Sequence, residues 1–150
     1  MIETNATLAI KGTQTADGET EVTELNVVGR LEKTDRGYII EYTDYASVDD
    51  NRTVISFNDD TLIMTKLGEI NTEMLFKEGM RTNCDYQTPY GNFEIGIYTN
   101  KLSIKADKKG AKIKLEYNID FNYGFAAVNK LDIKAEYTQT DKETNNVLIS

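Results

Sequence analysis

Apolar and polar residues alternate along most of the chain with a period of two. The alternation is clearest from Ile113 to Tyr123, where six apolar or aromatic side chains are separated by single polar residues. The same pattern returns from Lys130 to Tyr137. Successive side chains of a β-strand point to opposite faces, so the pattern predicts two long strands with one buried face each. We expect them to pair as a hairpin.

Eight shorter runs of similar character precede these strands, separated by turn-forming residues such as Asp17, Gly18 and Gly37. Ten such strands must bury their apolar stripes together, and an open sheet would leave two unpaired edges. The chain therefore predicts one all-β domain over residues 1–150, a closed antiparallel barrel of about 8–10 strands, with a sandwich as the alternative. The eight predicted strands are Thr7 to Lys11, Val22 to Glu32, Tyr38 to Tyr45, Thr53 to Asn58, Thr61 to Leu67, Thr72 to Lys77, Phe93 to Thr99 and Lys101 to Ala106.

Two segments depart from the alternation. The segment from Gly79 to Gly91 contains the only proline and the only cysteine of the chain. It is too long for a hairpin turn, so we expect a long loop at the barrel rim. The tail from about residue 138 begins polar and ends in Val147, Leu148 and Ile149. It is expected either to fray or to dock as a short final element.

The composition removes several classes of chemistry. The chain has no histidine and a single cysteine, Cys84, so it holds no Ser-His or Cys-His nucleophile pair and no ordinary zinc site. The sequence also lacks the glycine-rich loops that bind nucleotide phosphates. We therefore expect no enzymatic activity, no catalytic residue, no cofactor and no metal.

Acidic residues leave further interpretations open. Glu41 lies among bulky apolar residues, where it is either a solvated acid or a partly buried one that could join a glycosidase-like carboxylate pair. The runs Asp49-Asp50-Asn51 and Asp59-Asp60 lack the spacing of a calcium-binding loop, and we interpret them as turns.

Charge and hydropathy restrict the partners. The 17 Lys and Arg against 25 Asp and Glu give a net charge of −8, which disfavours nucleic acid because its binding requires clustered cations. No run approaches the ~20 apolar residues of a membrane span, and the N terminus lacks the pattern of a secretory signal. The lone cysteine suits a reducing compartment. We expect a cytoplasmic protein whose partner is a small ligand or another protein.

Five residues are candidate ligand contacts. Arg81 offers a guanidinium suited to a carboxylate or phosphate, and Tyr86 and Tyr90 offer stacking surfaces in the same interrupted segment. Tyr38 and Tyr42 are further candidates on an earlier predicted strand. The alternative is that the tyrosines fill the barrel end and that Arg81 pairs with a neighbouring acid.

Three features in order along the chain resemble a known family. Gly29 ends one strand, the segment Tyr38 to Asp44 follows, and the segment Tyr86 to Gly91 opens a strand that ends at Thr99. Together they resemble the YwiB-like family of uncharacterised small β-barrel proteins from bacteria. That resemblance implies a closed cytoplasmic barrel of calycin-like or lipocalin-like architecture. It implies no activity and no site residues.

Two functions are favoured by these observations. The first is a binding module whose barrel interior holds a small apolar or amphipathic ligand. The second is an interaction or structural protein whose barrel is filled by its own side chains. An enzyme is the least favoured class, since the chain lacks the usual catalytic groups.

Overall fold

A computed structural model of the chain describes residues 3–44, 51–68, 71–121 and 124–138. These residues contain strands and turns, and none of them forms a helix that could cross a membrane. The strands are β1 (Ala6–Ala16), β2 (Glu19–Thr34), β3 (Gly37–Asp44), β4 (Asn51–Phe57), β5 (Thr61–Leu67), β6 (Thr72–Lys77), β7 (Arg81–Thr88), β8 (Gly91–Asp107), β9 (Gly110–Phe121) and β10 (Gly124–Tyr137).

The strands form one antiparallel sheet in the order β6-β5-β4-β3-β2-β1-β10-β9-β8-β7. Neighbours in the sheet are neighbours in the chain, except that β1 pairs with β10. This pairing brings the first and last described strands together and leaves β6 and β7 as the two edges. Because the edges meet, the sheet curls into a nearly closed barrel, and the predicted all-β barrel is confirmed.

The predicted loop from Gly79 to Gly91 is wrong. Most of it is strand β7, which pairs with β8 from Arg81 opposite Tyr98 to Thr88 opposite Gly91. In the same region, the two strands predicted on either side of residue 100 are one strand, β8, with a register shift between Thr99 and Lys101. The described residues therefore contain ten strands, the number predicted, although the chain is divided among them differently. The tail beyond residue 138 lies outside the described residues.

The closed half of the barrel is filled in layers. Residues that lie directly opposite one another across strands β3 to β6 form cross-strand rows. Two successive rows of this kind are apolar. Nearly all of these side chains are buried, so their burial supplies most of the driving force for folding in this half. The rows are Tyr38, Phe57, Leu62 and Phe76, followed by Ile40, Ile55, Met64 and Met74.

The other half of the barrel is open because β2 is shared between two partners. The first part of β2 pairs with β1 up to Gly29, and only the part from Arg30 onward pairs with β3. At Gly29 a side-chain Cβ would lie 2.6 Å from the Glu41 carbonyl oxygen and 2.7 Å from Leu8 Cδ1. Glycine is needed for this close approach. Beyond this point the strands β2 and β3 diverge and leave a wedge between them.

The seam between β6 and β7 is closed by side chains instead of a backbone ladder. The two strands are joined by a tight turn, in which the Met80 amide donates to the Lys77 carbonyl at 2.9 Å. Past the turn, Thr82 Oγ1 donates to the Leu75 carbonyl at 2.8 Å. Cys84, two residues further along, makes a hydrogen bond with the backbone of Glu73. Side chains at alternate positions of β7 thus pair with backbone groups of the β6 edge.

Glu41 is buried, but it does not point into the barrel. Its neighbours Ile40 and Tyr42 face inward, whereas Glu41 lies on the outer face, where it is 2% exposed. Arg30 Nη2 donates to Glu41 Oε1 at 2.7 Å, and Arg52 pairs with the other carboxylate oxygen. The carboxylate therefore serves an ion-pair network on the outer surface and is not placed to act as an interior acid.

Thr82→Val is expected to lower the free energy of unfolding by about 1 kcal/mol, because valine keeps the shape of threonine but removes the bond to the Leu75 carbonyl. Urea denaturation measures the change. The control is Thr7→Val on the exposed outer face of β1, which should change stability by less than about 0.5 kcal/mol. Equal effects of the two variants would contradict a structural role for the seam bond.

Removing both arginines should destabilise the protein more than removing Glu41. The double variant Arg30→Met, Arg52→Met leaves a carboxylate buried without a counter-ion and should cost about 3–5 kcal/mol. Glu41→Met leaves two arginines that can turn toward water, so it should cost no more than about 1 kcal/mol. Comparison of the two by urea denaturation tests the arrangement, and the reverse order of stability would show that Glu41 is not the buried member.

Candidate functional site: a polar cavity in the open half of the barrel

One row of polar side chains lies directly above the apolar rows of β3 to β6. The row occupies inward-facing positions and is one step closer to the open end than the Ile40 row. In this row the phenol of Tyr42 is hydrogen-bonded to the side chain of Thr53. The interior thus changes from apolar to polar within one layer of residues. The members of this row are Tyr42, Thr53, Lys66 and Thr72.

A second polar row lies on the opposite wall of the barrel. It crosses β8, β9, β10 and β1 through directly opposed residues. Within it, Gln14 Nε2 donates to Asn129 Oδ1 at 3.1 Å. The Tyr117 ring reaches the closed half and packs against Phe76 with ring centroids 4.7 Å apart. The members of this second row are Thr99, Tyr117, Asn129 and Gln14.

The two polar rows enclose a cavity of about 650 Å³ that is open at this end of the barrel. All four members of the first row and three of the second line it, together with apolar side chains at the sides. A smaller adjoining space between β1, β2 and β5 shares several of the same residues. The volume lies in the range of small-molecule sites. The apolar lining residues are Leu25, Leu67, Met74, Cys84, Ile95 and Ile119.

Polar atoms without partners are concentrated in these rows. Four buried side-chain polar atoms of the described residues have no hydrogen-bond partner, and three of them are Thr72 Oγ1, Thr99 Oγ1 and Asn129 Nδ2. Thr72 and Asn129 line the cavity directly. Leaving such groups unpaired costs about 1–3 kcal/mol each. Water or a bound molecule in the cavity would recover this cost.

Lys66 is the cation of the cavity wall. Solvent reaches it through the open end, yet enough protein surrounds it that burial lowers its pKa below the ordinary value. No ion pair or hydrogen bond joins Lys66 to any of the described residues. A lysine that continues an inward-facing series after Leu62 and Met64 is unusual, because a charged group in such a position normally has a partner.

The hydroxyl groups of the two cavity tyrosines stay protonated at neutral pH. Burial raises the pKa of Tyr117 to about 12. Burial also raises the pKa of Tyr42, against a smaller opposing effect of its hydrogen bond with Thr53. Both phenols are therefore neutral groups that can donate a hydrogen bond.

Two aromatic side chains extend the cavity toward solvent. Phe93 lies two residues before Ile95 on the same face of β8, and Phe121 lies directly opposite Ile95 on β9. They are 50% and 52% exposed. We call Phe93 and Phe121 the aromatic lip. The lip continues the apolar side of the cavity past the point where the polar rows end.

Arg81 does not reach this cavity. It lies on the outer face of the barrel, where its guanidinium donates to Asn83 Oδ1 at 3.0 Å and to Asp120 Oδ1 at 2.8 Å. The side chain crosses over Gly96, where a Cβ would lie 2.0 Å from Arg81 Nη2. Arg81 therefore pairs with an acid, Asp120, as the alternative stated from the sequence had it.

The predicted tyrosines are dispersed. Tyr42 lines the cavity, whereas Tyr38 stacks on Phe57 in the closed half with centroids 5.5 Å apart. Tyr90 lies in the turn between β7 and β8 and is 94% exposed. The side chain of Tyr86 lies outside the described part of the structure. Of the predicted tyrosines with described side chains, the structure brings only Tyr42 to the cavity.

The sequence reasoning missed Lys66, Thr72 and Asn129, and it placed Cys84 in the expected loop from Gly79 to Gly91. Cys84 is instead a buried strand residue, and burial raises the pKa of its thiol. Among the described residues, no group of three acids or thiols is arranged to hold a metal ion. Asp59 and Asp60 lie in the turn after β4, where Asn58 Oδ1 accepts from the Asp60 amide at 3.0 Å. Asp49 and Asp50 lie outside the described residues.

Comparisons with known proteins concern the family and the fold. The profile of a family described as a domain of unknown function, DUF1934, matches residues 8–133. The crystal structure of the ywiB protein from Bacillus subtilis superposes with a TM-score of 0.79 at 19% sequence identity, covering 89% of this chain and 92% of that one. At this identity the likeness concerns the fold alone. No curated protein matches the chain.

Lys66→Met is expected to raise the free energy of unfolding at neutral pH. Burial lowers the pKa of Lys66, so the folded protein carries a desolvation cost that the unfolded chain lacks. The cost is complete below the folded-state pKa, shrinks as pH rises through it, and vanishes above the ordinary value of 10.5, where the amine is neutral in both states.

The gain in stability of Lys66→Met over wild type should therefore decrease between about pH 7 and about pH 11 in urea denaturation. The control is Lys114→Met, on the exposed outer face of β9, whose difference from wild type should show no such decrease. A gain for Lys66→Met that is constant with pH would show that the ammonium is fully hydrated in the folded protein.

Proposed function

The chain belongs to the DUF1934 family, and we propose that this member is a non-enzymatic binding module whose barrel cavity holds a small amphipathic ligand. The resemblance to the YwiB-like family that the sequence indicated is confirmed. That family carries no established activity to transfer, so the proposal rests on the cavity itself.

The unpaired polar atoms in the cavity wall are the observation that carries this proposal. Thr72 and Asn129 line the open cavity, and their buried atoms Thr72 Oγ1 and Asn129 Nδ2 have no hydrogen-bond partner among the described residues. A barrel that serves only as a structural unit gains nothing from such atoms, since apolar residues at these positions would cost no desolvation. A ligand with a polar group would satisfy them.

The remaining lining supports a ligand that is also partly apolar. Leu25, Ile95 and Ile119 line the sides of the cavity, and the aromatic lip extends this surface outward. A pocket with apolar walls and a few convergent polar groups is typical of small-molecule sites. The polar part of the ligand would meet the two rows, and its apolar part would contact the lip.

The alternative, a barrel filled by its own side chains, accounts for only half of the interior. The apolar rows ending in Phe76 and Met74 fill the closed half, whereas the open half contains a cavity of about 650 Å³. A protein partner at the outer surface is compatible with either half. We further propose a cytoplasmic location, because a reducing compartment suits the single thiol, Cys84.

Native mass spectrometry of the protein purified from its native host tests the proposal. Wild-type protein should retain a small-molecule mass. Thr72→Phe places a large ring in the cavity and should abolish that mass, whereas Thr7→Phe, on the exposed outer face of β1, should retain it. Circular dichroism establishes that both variants are folded.

A small molecule that persists in folded Thr72→Phe would place binding elsewhere. Wild-type protein that carries no small mass, and instead copurifies with a second protein, would favour the interaction alternative.

A further inference from the structure

The unsatisfied groups of the cavity wall are mainly hydrogen-bond donors. The Lys66 ammonium has three N–H donors and no acceptor, and the Asn129 amide nitrogen also only donates. The hydroxyl of Thr72 and the phenol of Tyr117 can each donate as well. Lys66 and Thr72 lie directly opposite each other on β5 and β6, and all four residues line the same cavity. A ligand group that satisfies them must therefore accept hydrogen bonds.

No described carboxylate neutralises Lys66. No acid among the described residues lies within ion-pair distance of the Lys66 ammonium, and burial lowers the pKa of this group. A negative charge within about 4–6 Å would have raised the pKa. The positive charge in this half of the barrel is therefore uncompensated within the described residues.

Two acids lie near the cavity, but neither of them neutralises the charge of Lys66. Asp44, also in the cavity wall, is already engaged in an interaction within the protein. Glu24 lines the adjoining smaller space, but it lies opposite Lys11 in the pairing of β1 with β2 and alternates with Leu25 along the strand. Neither carboxylate forms an ion pair with Lys66.

Building on the proposed binding role, we propose that the ligand carries an anionic head group, a carboxylate or a phosphate monoester, held by Lys66 together with Thr72 and Asn129. The ammonium supplies the charge, and the hydroxyl and amide supply neutral donors from the adjoining and facing walls. Hydrogen bonds between charged partners are about twice as strong as neutral ones. The head group therefore enters the cavity first, and the apolar part lies toward the aromatic lip.

Isothermal titration calorimetry with matched probes tests the head-group assignment. The probes are decanoate, decyl phosphate, decan-1-ol and decyltrimethylammonium, each below its aggregation concentration. They share an alkyl chain and differ in the head group. We expect at least one of the two anions to bind wild-type protein about 10-fold more tightly than decan-1-ol. Decyltrimethylammonium should bind most weakly. The better anion identifies the head group as carboxylate or phosphate.

Variants assign the effect to Lys66. Lys66→Met should weaken binding of the preferred anion about 10-fold and weaken binding of decan-1-ol much less, because the alcohol carries no charge. Lys66→Arg should keep the preference for an anion, because it preserves the charge. The matched control, Lys114→Met, removes an exposed lysine from the outer face and should change neither affinity.

The outcomes separate this inference from the proposed function. One outcome is that every probe that binds has the same affinity for wild type and Lys66→Met, while Thr72→Phe abolishes its binding. In that case the cavity binds ligands, but the assignment of an anionic head group is wrong. If no probe binds to the wild-type protein, the binding role fails and the head-group inference fails with it. Anion binding that is lost in Lys114→Met and kept in Lys66→Met would place the anion on the outer face.

Discussion

The apolar side chains of the sheet are buried only because its two edge strands, β6 and β7, come together. The inner face of the sheet is enclosed only if these edges meet, and within the described residues they meet without a continuous backbone ladder. Thr82 and Cys84 take the place of that ladder by bonding to backbone groups of β6. Polar groups of an uncovered edge would otherwise recruit another strand. The apolar rows and the cavity exist as an interior because this seam holds.

Closure of the barrel also explains why the inward-facing polar rows lower the stability of the fold. Inside a barrel, a side chain at an inward-facing position has no route to bulk water except through the open end. The Lys66 ammonium, Thr72 Oγ1 and Asn129 Nδ2 occupy such positions without a hydrogen-bond partner among the described residues. The closed half stabilises the fold through apolar burial, and the open half gives up part of that stability. Proteins commonly make this exchange where they bind other molecules.

Much of the fold could be predicted from the sequence, because period-two alternation reports directly on a half-buried strand. Strand β7 was missed since its inward residues, such as Thr82 and Cys84, are not strongly apolar. The cavity was missed because its rows join residues far apart in the chain, and only the pairing register shows that Lys66 faces Thr72. The one local signal was a lysine continuing the series Leu62 and Met64. The position of Arg81 could not be predicted from the sequence, because the contact with Asp120 over Gly96 joins residues far apart in the chain.

Gly29 gives the entrance of the cavity its dimensions. Gly29 lies where the pairing of β2 changes from β1 to β3, and the Glu41 carbonyl oxygen and Leu8 Cδ1 occupy the space that a Cβ at this position would need. Any side chain there must displace the β3 backbone or the Leu8 side chain, and both belong to the walls that diverge from this point. The aperture of the barrel therefore depends on the absence of a side chain at this position, where β2 and β3 begin to diverge and where the Cβ of the cavity residue Tyr42 also lies close.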